Sequence, residues 1–386
     1  VLRIRELLDC LMSTHPTASA VRLLSRLVLV GQERASIRAL ITSNSSLLAA
    51  KVAERSAETG EHYITRDWPQ YRSMLRKAAG GGALTGGTTL LKFMIMGLGL
   101  SAFWGGFWAG AMYAASFVVI QLLHCTLATK QPAMTAPAMA AKLKDIGTPE
   151  AVNAFVDEVA HLMRSQAAAV LGNVLVVFPV VLLLSVGIGL LLGHPMLSAK
   201  EAAYTLHSLS LLGPTLLFAG FTGCLLFASS IIAGWVENWF VLRRLDSAMR
   251  YNPGITGILG VERAGRWAHF MRNNISGFAS NISLGFMLGL IPPIMAFFSL
   301  PLEVRHVTLS AGQLAAASVA YGVQTVFMPA FWWAVAAIPL IGALNLGVSF
   351  YLAYKLALRA HNVSGVQRAH IHQAIWARWR HRPLNF

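Results

Sequence analysis

Six stretches of this chain, Leu84–Phe103, Gly105–Leu127, Ala168–Leu192, Ser208–Ala233, Ser280–Leu300 and about Phe327–Tyr354, carry one formal charge among them, Lys92. Each is long enough to cross a hydrocarbon core, which takes roughly 20 helical residues for about 30 Å. A large soluble helical core would need charged faces along the same helices, and they are absent. The pattern therefore predicts a membrane protein of six helices.

The cations fix its orientation. Of 31 Lys and Arg residues, twelve precede the first stretch, four lie between the second and third, six between the fourth and fifth, and six follow from Lys355 onward. Lys200 and Arg305 alone fall on the opposite side. By the positive-inside rule both termini and both long loops face the cytoplasm. The net charge of +15 thus reports topology before it reports nucleic acid, and anionic lipid headgroups are the expected partners of these side chains. The composition, 55% apolar and 12% charged, agrees.

Cys10, Cys125 and Cys224 are scattered, with no CxxC or Cys/His cluster, so no disulfide framework, metal site or cofactor is expected. The chain opens at Val1, and its first 25 residues carry Arg3, Arg5, Glu6 and Asp9, unlike a signal peptide. It reads as a fragment or a processed product. Residues 1–80 form a helical cytoplasmic segment, the end of a larger N-terminal domain, with Leu23, Leu27, Ile37, Leu40, Ile41, Leu47 and Leu48 at helical spacing. A surface-lying amphipathic stretch would show the same spacing. Residues 81–358 form the transmembrane domain, with cytoplasmic loops 128–167 and 234–279, and 359–386 form a basic cytoplasmic tail.

Several local signals refine this. Thr148-Pro149-Glu150 starts a helix whose apolar face, Val152, Phe155, Val156, Val159 and Met163, runs on into the third span. GxxxG pairs at Gly106/Gly110, Gly189/Gly193 and Gly285/Gly289 suit close helix approach. Pro292-Pro293 frees carbonyls in the fifth span. Val307–Tyr354 is charge-free, and is read as one span preceded by a re-entrant or periplasm-side helix. Trp332/Trp333 and Trp235/Trp239 mark interfaces.

Ala160-His161-Leu-Met163-Arg164 recurs 108 residues on as Ala268-His269-Phe-Met271-Arg272, followed in register by Asn173/Asn281 and Phe178/Phe286. Met74-Leu-Arg76 is a fainter echo. The fold expected is accordingly all-α: six transmembrane helices as three parallel helical hairpins, related as internal repeats. Arg164 and Arg272 then sit at headgroup level, and Asn173 and Asn281 lie about 13 Å deeper, where an amide needs a partner, most simply its repeat counterpart. Further candidates are His124 beside Gln121, Lys130 and Gln131 at the end of span two; Glu237, able to pair with Arg243, Arg244 or Lys130; and the embedded Lys92. No P-loop, Rossmann fingerprint, HExxH or nucleophile elbow is present.

Three strings, His124-Cys-Thr-Leu-Ala-Thr129-Lys130-Gln131-Pro132-Ala-Met-Thr135-Ala, Gly234-Trp235-Val-Glu237-Asn238-Trp239, and Arg272-Asn273-Asn274-Ile-Ser276-Gly277-Phe-Ala-Ser-Asn281-Ile-Ser-Leu-Gly285-Phe, resemble a family of bacterial polytopic membrane proteins labelled "site-specific recombinase" (Gcr-type). The resemblance covers roughly residues 60–365, and its members are longer at the N-terminus. It implies DNA as a partner. A tyrosine recombinase brackets the scissile phosphate with an Arg and a His-x-x-Arg while a downstream Tyr attacks. His269 and Arg272 supply the His-x-x-Arg, Arg243 and Arg244 stand upstream, but Tyr321 falls beyond the opposite side of the bilayer. Catalysis in this chain is not expected on those residues. The residues themselves favour a bundle handling a small polar or lipid ligand, with a scaffold recruiting cytoplasmic proteins as the alternative.

Overall fold

The computed structural model describes residues 64–127 and 149–360, with isolated positions among 12–28, at Met139 and among 373–380. The chain divides into two compact units, Val1–Ala50 and Lys51–Phe386. In the first, Met12, Val21, Leu24 and Val28 are helical and exposed. The leucines and isoleucines from Leu23 to Leu48 named above lie outside the described residues, as do Cys10, Lys130, Gln131, Thr148 and most of the tail.

The second unit is all-helical among the described residues. Its helices are α1 (Trp68–Gly97), α2 (Ala102–Leu122), α3 (Pro149–Leu192), α4 (Ala199–Leu209), α5 (Thr215–Leu242), α6 (Leu245–Tyr251), α7 (Pro253–Leu259), α8 (Val261–Phe297), α9 (Val307–Tyr321) and α10 (Pro329–Ala360), with a 3₁₀ turn at Gly322–Phe327. Local chemistry sets their starts. Asp67 caps α1 by accepting the Gln70 N–H at 2.8 Å, with Pro69 in the first turn. Ser198 and Glu201 form a reciprocal capping box on α4. Asn252 accepts the Gly254 N–H at the head of α7.

Among the described residues, five helices are long and apolar enough to cross a membrane: 102–122, 152–192, 215–242, 261–297 and 329–356. Less than half of the most apolar window in each (17–44%) is buried inside the protein, so the apolar surplus faces outward, as at Leu183, Leu190 and Leu191 on α3. The first predicted span, Leu84–Phe103, overruns the end of α1 at Gly97 and reaches the first residues of α2, and α1 is not among the five. Helix α1 runs unbroken through residue 80. The helix expected after Thr148 runs on into the third span, with Phe155 and Val156 buried and Met163 exposed.

Packing gives the directions. Gly172 meets Ala78 and Leu75, and Gly86 meets Val180, so α1 and α3 run parallel. Gly223 meets Leu344, Asn345 and Val348, while Phe227 packs by Ala353, so α5 and α10 are also parallel and Arg243 and Lys355 share one end. Helices α2 and α8 are antiparallel, with Gly106 by Pro293, Gly110 by Phe286 and Gln121 by Gly277. The most extensive pairings are α2 with α8, α1 with α3, and α5 with α10; none joins neighbours in sequence.

Small residues explain the tightest seam. Proline at 293 has no N–H for the Gly289 carbonyl, and that oxygen lies 2.7 Å from where a Cβ on Gly106 would stand. The Gly106/Gly110 and Gly285/Gly289 pairs thus interlock, whereas Gly189 has nothing nearer than 3.5 Å. Gly80, Gly81 and Gly82 let Cys125, Thr126 and the Asn173 backbone lie directly on α1.

The segment before the last span is a short interior helix. Of α9, residues 307–312 and 314–317 are all buried. The chain enters it through Arg305 and His306, 8% and 2% exposed. The Arg305 guanidinium donates to the Ser208 and Val304 carbonyls and pairs with Glu303 at 2.6 Å. Asn345 on α10 ties this entry down, accepting the Val307 N–H and donating to the Arg305 and Ala219 carbonyls. The first residues of α4 and α9, Ala199 and Val307, stand 108 positions apart.

Candidate ligand cavity

At the end of the bundle that holds the α2 C-terminus lies a cavity of about 850 Å³. Four pieces wall it: residues 64–77 leading into α1, residues 117–127 closing α2, residues 230–237 of α5, and residues 272–281 of α8. Six sequence candidates line it together: His124, Glu237, Arg272, Asn273, Asn274 and Asn281.

The wall begins with a docked strap. Thr65 donates its N–H to Ser165 Oγ at 2.9 Å, and Arg66 forms an ion pair with Glu158 on α3. This brings Arg66, Gln70 and Lys77 to the cavity, residues that the sequence pattern assigned only to a water-facing segment. Facing them, an amide chain runs across α2 and α8. Asn281 donates to Gln121 Oε1, Gln121 donates to Asn274 Oδ1 at 3.2 Å, and Asn274 donates to the Phe270 carbonyl at 2.9 Å. Gly277 makes this arrangement fit, because the Gln121 amide occupies the space that a Cβ there would need. Asn281 therefore bonds Gln121 rather than Asn173, correcting the expected pairing of repeat counterparts. Asn173 instead donates to the Ala78 and Thr126 carbonyls at 2.5 and 2.9 Å, joining α3 to α1 and to the segment after α2.

Helix α2 ends with His124 at φ 54°, where Cys125 N–H reaches back to the Ile120 carbonyl at 3.0 Å. That left-handed position ordinarily suits glycine. Beneath the polar wall lie Phe117, Ile120 and Leu127, all buried. Behind Phe117 stacks the His306 ring, centroids 6.2 Å apart, so the entry to α9 backs the cavity floor.

The remaining candidates lie elsewhere. Arg272 reaches from the cavity to Asp246 on α6 at 3.0 Å. His269, one turn earlier, accepts from Asn273 at 3.0 Å. Arg164 is exposed on α3 and does not line the cavity. Lys92 is half-buried, its Nζ 5.8 Å from the Phe93 ring and within electrostatic reach of Arg305 and Glu303. Asn345 was missed, although it is the one asparagine of the last apolar stretch.

The recombinase constellation does not assemble among these residues. Arg272 sits at the cavity end, whereas the Tyr321 hydroxyl donates to the Ala199 carbonyl at 2.9 Å, beyond the far end of α3. From Arg272 to the end of α8 is already about 38 Å of helix. Three or more His, Cys, Asp or Glu side chains grouped as metal ligands do not occur among the described residues.

Among the described residues, five outward-facing helices long and apolar enough to cross a membrane mark an α-helical membrane protein. The family model described as site-specific recombinase matches residues 1–386, and the chain belongs to that family. No curated protein and no solved structure matches the chain.

Proposed function

We propose that this is a bacterial inner-membrane protein whose bundle receives a small polar or lipid ligand in the cavity, from the cytoplasmic side. In this reading α1 also crosses the bilayer, and α1–α2, α3–α5 and α8–α10 are three hairpins. The shared 108-residue spacing of α4 and α9 supports a repeat of the second and third. Exposed Trp332 and Trp333 at the start of α10 and Trp235 and Trp239 near the end of α5 support two interfaces at opposite ends of the bundle.

One observation carries the ligand reading. Three separate strings, around His124, Glu237 and Arg272–Asn281, converge on one cavity that mixes donors, amides and an apolar floor, the make-up of a small-molecule site. Cys125 lines it and serves as the reporter. With Cys10 and Cys224 replaced by serine, a total polar lipid extract or a small-molecule cell extract should slow maleimide labelling of Cys125. Equal rates with and without both extracts would dismiss the reading.

The family label supplies a second reading, DNA recombination. Its test is DNA inversion in cells carrying Tyr321→Phe or Arg272→Ala. Loss of inversion in a Tyr321→Phe protein that remains folded would favour catalysis by this chain; normal inversion in both variants would exclude it.

A further inference from the structure

The wall of the cavity also selects among ligands. We infer, resting on the ligand reading above, that the group it receives bears a phosphate. Arg66, Lys77 and Arg272 line it against a single carboxylate, Glu237. The two arginines take their acid partners, Glu158 and Asp246, from outside the lining, and Arg272 spends only Nη1 on Asp246. The amides spend their donors and acceptors largely on one another. Gln121 Oε1 and Asn274 Oδ1 are both consumed inside the wall, as acceptors from Asn281 and Gln121. Lys77 and Arg272 thus bring cationic N–H donors to the cavity, and they suit an anion whose oxygens only accept. The apolar floor of Phe117, Ile120 and Leu127 gives the uncharged remainder a dry surface.

A phospholipid headgroup and a soluble phosphate ester share this chemistry, and the size of the cavity admits either. The experiment separates them. In dodecyl maltoside, which has no phosphate, the protein with Cys125 as its single cysteine is titrated with phosphatidylglycerol, diacylglycerol, glycerol 3-phosphate and glycerol while maleimide labelling is followed. Phosphatidylglycerol or glycerol 3-phosphate should protect Cys125; diacylglycerol and glycerol should not. Protection by phosphatidylglycerol alone identifies a lipid source, and protection by glycerol 3-phosphate a soluble one.

Lys77→Gln should raise the half-protecting concentration about tenfold, the loss of one hydrogen bond to a charged group. Gly277→Ala changes no charge yet displaces the Gln121 amide, and should also weaken protection. Arg243→Gln, on an exposed side chain outside the lining, should leave it unchanged. Equal protection by diacylglycerol, or unaltered protection in both Lys77→Gln and Gly277→Ala, would overturn the phosphate assignment. If whole extracts protect and the phosphate probes do not, only this inference falls. If no extract protects, the ligand reading falls with it.

Discussion

Helices α2 and α8 meet in two ways along one seam. At one end Gly106 and Gly110 interlock with Gly285 and Gly289, and backbone lies on backbone. Toward the other end the same helices are separated by Gln121, which occupies the gap left by Gly277 and bonds Asn274 and Asn281. The first meeting is dry and closed; the second opens into the cavity. Lipid tails are as apolar as leucine, so helices in a bilayer gain from close packing and hydrogen bonding more than from burying apolar area. Glycine thus serves both regions, admitting a backbone in one and a polar side chain in the other.

The sharpest way to break this contrast is at the closed end. A Cβ on Gly289 would stand under 3.0 Å from the Gly106 carbonyl oxygen and the Gly110 nitrogen, and backbone cannot step aside as a side chain can. Gly289→Ala should cost about 3 kcal/mol or more, read as loss of the folded fraction on heating in detergent. Gly189→Ala, in the same sequence pattern but with nothing nearer than 3.5 Å, should be neutral or gain up to about 1 kcal/mol from helix propensity. Equal losses in the two would show that the interlock does not hold α2 to α8.

Buried amides should divide the same way. Asn345, fully enclosed, satisfies the Val307 N–H and the Ala219 and Arg305 carbonyls. Asn345→Leu strands the Val307 N–H and removes a donor from the Arg305 carbonyl, so it should cost about 2 kcal/mol. Asn281→Leu releases Gln121 beside the cavity, where water can reach it, and should cost about 1 kcal/mol by the same measurement. A larger loss for Asn281 would mean that the amide chain, rather than the α9 entry, holds the bundle.

A smaller effect belongs to α4, outside the spans. Hydrogen bonds from the Ser198 hydroxyl and N–H hold the Glu201 carboxyl below its ordinary pKa. A depressed folded value stabilises above the ordinary carboxylate value, and that contribution is lost as pH falls through the folded one. Glu201→Ala should cost about 1 kcal/mol at neutral pH, as loss of a cap does, and the difference from wild type should shrink in acid. A difference that is flat with pH would refute the ionised cap.

Much of this was legible in the sequence, and for identifiable reasons. Hydropathy located five outward-facing helices, because a 20-residue apolar run constrains its solvent directly. It gave spans rather than helix ends: α3 begins at Pro149, well before the apolar run at Ala168, and that start was legible only from the Thr148-Pro149-Glu150 signal and the apolar face that includes Phe155 and Val156. Pairing was harder to read. Gly106, Gly189 and Gly285 share one local pattern, and only a partner's arrival distinguishes them. In the cavity, His124, Glu237, Arg272 and Asn281 stood out as polar residues near apolar runs, and Asn273 and Asn274 came only with the string that carries the family resemblance. Arg66, Gln70 and Lys77 did not, because their place depends on Thr65 and Arg66 docking onto Ser165 and Glu158, some hundred residues later.

The finest test of the two ends uses two helix termini. His124 closes α2 at φ 54°, and Ser299 closes α8 at φ 58° with Leu300 N–H bonded to the Met295 carbonyl. Both hold a left-handed backbone that a Cβ disfavours, so replacement by glycine should stabilise each by up to about 1 kcal/mol. Only His124 lines the cavity. His124→Gly should therefore gain stability while Cys125 loses protection by the extracts, and Ser299→Gly should gain stability with protection unchanged. If His124→Gly keeps full protection, the imidazole has no part in binding, and its strained position would need another cause.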